Sequence, residues 1–144
     1  MNNISTGNSG EYFVAGELER RGFTCAVPMS NTKDFDILAI NRDTFNQYAI
    51  QVKTTAFKQK DWALNKKNED LIGENIIYIF VSLNELEQPE YHIVSSAIVA
   101  ETIKVSHQEW LNTPGRNGQK HNDNPMRRFT DKEDKYLNRW DLLK

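Results

Sequence analysis

One cysteine, Cys25, stands in 144 residues, which excludes an internal disulfide and agrees with a reducing compartment. Since an isolated cysteine is a small, core-seeking side chain, Cys25 reads as packing rather than as a nucleophile. No apolar run approaches the roughly 20 residues needed to cross a bilayer, so no membrane contact is expected. The start, Met1-Asn2-Asn3-Ile4-Ser5, lacks the basic and apolar regions of a signal peptide, and a cytoplasmic chain is expected. An excess of positive charge is missing too. At a net charge of −2 and a pI near 5.9 the chain is no polycation, and any nucleic-acid binding must come from a local patch. Gly7, Gly10 and Gly22 have neither the spacing nor the preceding strand of a phosphate loop, which disfavours a nucleotide cofactor. His92, His107 and His121 show no metal-ligand spacing and read as structural. No internal repeat or low-complexity segment is visible.

What is present is an ordinary globular balance, 38% hydrophobic and 26% charged, in a length that suits one domain over residues 1–144. Gly7 to Gly22 predicts a first helix, with Asn8 or Ser5 as cap and Gly22 as stop. Glu11, Val14, Ala15 and Leu18 fall on one stripe of it, so Glu11 is on the inward face, whereas Glu17 points elsewhere. Strands are expected at Phe23 to Val27, Phe35 to Ile40 and Gln47 to Thr54, with turns at Pro28 to Lys33 and Asn41 to Thr44. The second and third of these make an antiparallel pair. Lys58 to Asp70 reads as loop plus a short helix. Ile76 to Leu83 fits a strand covered on both faces, Tyr91 to Val94 another strand, and Ser96 to Leu111 a helix. The tail, residues 113–144, carries turn signals and then Tyr136, Leu137, Trp140, Leu142 and Leu143, and so aromatic a segment should dock on the domain. The order predicts an α/β sandwich, a mixed sheet flanked by helices.

Within those strands, Asp36-Ile37-Leu38-Ala39-Ile40 and Ile50-Gln51-Val52-Lys53-Thr54-Thr55 place polar groups inside runs that otherwise read as buried. Alternation puts Gln51 and Lys53 on one face and Ile50 and Val52 on the other. A lysine on a buried face requires an anion beside it, and Asp36 is the candidate.

Asp36, fourteen residues, then Gln51-Val52-Lys53, with a helical Glu11 upstream, resembles the PD-(D/E)XK restriction-endonuclease-like nucleases, with glutamine in place of the acid. The stretch Gly10-Glu11-Tyr12-Phe13-Val14-Ala15 with Gly22-Phe23 and Ile50-Gln51-Val52-Lys53-Thr54 also looks like small bacterial nucleases of that kind and, more distantly, like archaeal Holliday-junction resolvases. The resemblance implies an α-β-β-β-α-β core and a Mg²⁺-dependent endodeoxyribonuclease, Mn²⁺ serving as substitute. It implies that Asp36, the Gln51 side-chain oxygen and the Val52 carbonyl hold the metal, with Glu11 on a metal-bound water or a second ion. Lys53 would orient the attacking water or stabilise charge on the scissile phosphate. One small site cuts one strand, so a homodimer is expected for a duplex or junction.

Each residue has a plainer reading. Glu11 lies three residues after Asn8 and can close a capping box. Asp36 can take an amide from the Asn31-Thr32-Lys33 loop, and Gln51 and Lys53 can be outward residues of an edge strand. Lys58, Lys60, Trp62, Lys66 and Lys67 interleave cations with an aromatic, as a DNA contact would, or form a solvated face anchored by Trp62. Arg116, Lys120, His121, Arg127 and Arg128 make a second basic cluster, which Asp131, Glu133 and Asp134 can neutralise. The rivals to a nuclease are a binding module on the same fold whose chemistry is lost with the acid, and an interaction protein with no nucleic-acid role.

Overall fold

A computed structural model describes residues 2–28 and 35–144. Helix α1 spans Asn3–Arg20 and begins where the Asn2 side chain accepts the Ser5 N–H at 2.8 Å. It ends at Arg21, and Gly22 follows at φ +100°, a left-handed conformation that glycine takes freely. The helix thus starts ahead of the expected Gly7, and Ser5 and Asn8 lie inside it rather than capping it. Asn2 has the extended backbone that a cap requires. Thr6, Gly10, Val14 and Leu18, spaced by four, form its buried stripe.

The chain continues as β1 (Phe23–Ala26), β2 (Ile37–Asn41), β3 (Gln47–Thr55), β4 (Asp61–Asn65), β5 (Ile76–Ser82), β6 (Glu90–Ser95), α2 (Ser96–Asn112) and β7 (Met126–Thr130). One mixed sheet has the order β1-β2-β3-β5-β6, antiparallel throughout except for the parallel pair β3 and β5. Its centre is β3, so Gln51 and Lys53 do not sit on an edge strand. The turn expected over Pro28 to Lys33 lies, from residue 29 on, outside the described residues, and so does the Asn31-Thr32-Lys33 loop.

Both faces of the sheet are covered. Val14 and Leu18 of α1 pack on Ile37, Ile50, Val52, Ile77, Ile79 and Ile93. On the other side Tyr78, Phe80 and Val94 meet Val99 and Ile103 of α2 and Trp62, Leu64 and Phe129. That is why β5 is hydrophobic from Ile76 to Val81: its alternate residues enter two separate cores. Each large side chain so buried is worth about 1.5–3 kcal/mol.

Over Lys58 to Asp70 the expected short helix is the 3-10 helix Lys66–Glu69, whereas β4 stands where loop was expected. The partner of β4 is β7, in the tail where no strand was expected. Only Trp62 and Leu64 carry the period-two signal there, too short a run to read without its distant partner. This pairing also settles the basic tail. Arg127 is bonded to Glu69 and Arg128 to Asp61 at 2.7 Å, because the ribbon brings those acids across, while Asp131 and Asp134 are taken by His92 and Lys60. The remaining tail lies along β6: the Ile93 N–H donates to the Tyr136 carbonyl at 3.0 Å and the Asn138 N–H to the Tyr91 carbonyl at 2.8 Å. Trp140 receives the Arg21 guanidinium 4.4 Å from its ring centre, and the Tyr48 hydroxyl bonds both the N–H and the carbonyl of Lys144.

Candidate active site

Gly10 and Thr54 set the height of α1 above the sheet. A Cβ on Gly10 would fall 1.8 Å from Thr54 Oγ1, so the helix backbone rests directly on β3 there. The next residue, Glu11, is half-buried at the same level. It lies well inside α1, where a capping box with Asn8 does not form.

Regular pairing of β2 with β3 runs from Ile40↔Gln47 to Ile37↔Ile50, whereas β3 continues to Thr55. Where β2 departs, Asp36 turns its carboxylate back onto the strand: Oδ2 accepts the Val52 N–H at 2.8 Å, and the Asp36 N–H donates to the Ile50 carbonyl at 2.8 Å. The side chain supplies the acceptor that a continuing β2 backbone would have supplied. Since the N–H and C=O of one strand residue point the same way, the Val52 carbonyl also faces the side that β2 has left.

Glu11 meets Asp36 at this point. Burial first, then the negative charge of Asp36, then a hydrogen bond between the two carboxyl groups, raise the Glu11 pKa above its ordinary 4.5. Two acids held in contact call for a shared proton or a cation between them. With the Val52 carbonyl beside them they make an all-oxygen donor set, the kind that suits magnesium.

Gln51 and Lys53 alternate with Ile50 and Val52 and stand beside Tyr78 and Phe80 in register, on the face away from α1. Gln51 is buried and Lys53 half-buried. The Tyr78 phenol is held above its ordinary value, chiefly by burial and to a lesser extent by the charge of Asp36. The geometry therefore brings Glu11, Asp36 and Val52 together, and sends the Gln51 and Lys53 side chains toward the opposite layer. Among the described residues Lys53 forms no ion pair.

Of the basic run, Lys58, Lys66 and Lys67 are exposed. Lys60 is held by Asp134 at 2.6 Å. Trp62 is 1% exposed, donates its indole N–H to the Val81 carbonyl at 3.0 Å, and lies against Phe80 and His92, which is the anchoring role. A cleft of about 690 Å³ opens beside Thr54, between Thr6 on α1 and Phe57, Glu85 and Leu86. What sequence reasoning missed is the pair of backbone contacts that position the acids, Gly10 on Thr54 and Val52 on Asp36. A glycine directly preceding the inward glutamate was the available signal.

A central mixed sheet with α1 on one face and α2 on the other, and acids meeting where β2 leaves β3, is a restriction-endonuclease-like fold. The chain is similar over 98% of its length to a bacterial homing endonuclease, I-Ssp6803I, matching 90% of that chain with a TM-score of 0.58 and 10% identity. It also matches the Holliday junction resolvase Hjc of Archaeoglobus fulgidus, over 87% of this chain and 84% of that one, with a TM-score of 0.49 and 14% identity. At 10% identity the likeness to I-Ssp6803I shows the fold alone. No family model and no curated protein matches the chain. Among the described residues no helix is long and apolar enough to cross a membrane.

Proposed function

We propose that this chain is a magnesium-dependent endonuclease hydrolysing phosphodiester bonds in DNA. The observation that carries the reading is the contact between Glu11 and Asp36 where β2 leaves β3, on a fold shared with a homing endonuclease. Asp36, Glu11 and the Val52 carbonyl would hold the ion; the Gln51 amide, on the face away from α1, would join them only by turning round the flank of β3 that β2 leaves open. When bound, magnesium supplies a Lewis acid and lowers the pKa of a coordinated water. Asp36 is fixed for this task by the Val52 N–H, which pins one oxygen and leaves the other to bind. A bound cation would displace to solvent any proton shared between Glu11 and Asp36, and Glu11, then ionised, would hold a metal-bound water and could take a proton from it. Lys53, on the same face as Gln51, would reach round the open flank to balance charge on the scissile phosphate, and Lys58, exposed and three residues beyond the end of β3, would supply a backbone phosphate contact. Two copies are needed to cut both strands of a duplex.

The test is nicking of supercoiled plasmid with Mg²⁺ or Mn²⁺, alongside calorimetric Mn²⁺ titration. Asp36→Ala should abolish both, and Lys53→Ala should abolish nicking while sparing metal binding. Cleavage that survives Asp36→Ala would overturn the assignment. A second reading, a DNA-binding module without chemistry, is favoured by the Gln51 and Lys53 side chains alternating onto the face away from α1. Salt-sensitive DNA binding with no cleavage under any divalent ion would select it.

A further inference from the structure

A second group of ligand-type side chains lies on the face of the sheet away from α1, at the edge where the tail covers β6. Glu90 and His92 alternate on β6 and so share a face, and the turn after β7 brings Asp134 to them. One ring nitrogen of His92 and one carboxylate oxygen each from Glu90 and Asp134 lie within 4.8 Å of one another.

His92 is the informative member. It is fully buried, and its Nδ1 is 2.6 Å from Asp131 Oδ2. Asp131, itself buried, also accepts the Lys135 and Tyr136 N–H groups, each at 2.9 Å. A carboxylate so placed fixes the tautomer with the proton on Nδ1 and leaves Nε2 with a bare lone pair. Nε2 is sealed from solvent and has no hydrogen-bond partner among the described residues. A buried acceptor without a donor is costly, and an imidazole oriented by a carboxylate on its other nitrogen is the usual arrangement of a metal-bound histidine.

We propose that Glu90, His92 and Asp134 form a binding site for a transition-metal dication of the zinc class, with Asp131 as the carboxylate that orients the imidazole. One nitrogen and two carboxylate oxygens, with water completing the set, match the donor preferences of zinc and not those of magnesium. The site is separate from Glu11 and Asp36 and stands whether or not the chain is a nuclease. Lys60 competes for it. Its ammonium lies 2.6 Å from Asp134, where it occupies a carboxylate that an ion would use. Being partly exposed, it can swing out when an ion enters. An ion there would tie the tail turn to β6.

The experiment is titration of Zn²⁺, and of Co²⁺ for its visible spectrum, into the full chain carrying Asp36→Ala, so that the other acidic site does not contribute. One Zn²⁺ per chain is expected, with a Co²⁺ spectrum characteristic of nitrogen and oxygen ligands. Asp134→Asn, a change at an exposed position that the fold tolerates, should weaken binding at least about tenfold, and His92→Gln should abolish it. Lys60→Gln should tighten binding about tenfold by removing the competitor. Absence of a Zn²⁺ equivalent in the Asp36→Ala chain, or binding indifferent to Asp134→Asn, would overturn the site. Binding unchanged by Lys60→Gln would overturn the competition.

Discussion

Gly10→Ala sets two effects of known size against each other. Alanine in a helix interior is favoured over glycine by about 0.8–1.0 kcal/mol, so a helix free of the sheet would be stabilised. Against this, the new methyl would lie 1.8, 2.8 and 2.9 Å from Oγ1, Cβ and Cγ2 of Thr54, all inside contact distance. Relieving three such contacts requires α1 to lift from β3, and overpacking of this kind costs about 1–3 kcal/mol. The net expectation is a loss of about 1 kcal/mol, a few degrees in Tm for a chain of this length, measured by urea unfolding with an unchanged m-value. Glu11 is the next residue, so the lift also separates it from Asp36, and Mn²⁺ affinity should fall. Thr54→Ala removes the nearest clashing atom, a buried hydroxyl that has no hydrogen-bond partner among the described residues. Gly10→Ala with Thr54→Ala should therefore recover part of the loss, and a double-mutant cycle should show coupling of at least about 0.5 kcal/mol. A gain of about 1 kcal/mol in Gly10→Ala, with metal affinity intact, would refute direct seating of the helix on the strand.

Glu69→Ala should destabilise the protein by about 3 kcal/mol in urea, because it leaves the Arg127 guanidinium, 4% exposed, without its anion, whereas Glu69→Leu with Arg127→Met should cost far less. Gln51→Glu should keep or tighten Mn²⁺ binding and Gln51→Leu weaken it; equal affinity in all three proteins removes Gln51 from the site. Glu11 holds its proton more tightly folded than unfolded, so its contribution to metal-free stability is full below about 4.5 and fades as pH rises through its raised folded value. Urea midpoints measured in chelator across that window should carry this decline and lose it in Glu11→Gln. Metal affinity should move the opposite way, weakening on acidification at a higher pH than an ordinary carboxylate would give.

Patterns that repeat within one element were legible in the sequence. The stripe through Glu11, Val14 and Leu18 gives the inward face of α1, and the apolar run Ile76 to Leu83, broken only by Ser82, gives a strand between two cores. Elements that exist only through a distant partner were not legible. Trp62 and Leu64 become a strand because Phe129 and Arg127 arrive from the tail, and the acids that neutralise Arg127 and Arg128 lie on the far side of that ribbon rather than nearby in sequence. The same division runs through the candidate site. Asp36 could be singled out by its residue type and spacing, yet its orientation comes from a backbone event, the departure of β2 from a strand that continues. Val52 then needs an acceptor for its N–H, and an acidic side chain one residue before the last paired position of β2 meets that need at 2.8 Å. Stability and chemistry thus make one demand of Asp36: one oxygen satisfies a central strand, while the carboxylate's charge is brought against Glu11. A neutral asparagine there retains an acceptor for Val52 but gives up the charge, so conformational integrity alone cannot account for an acid at this position, and the repulsion built into the pair is what a cation would relieve.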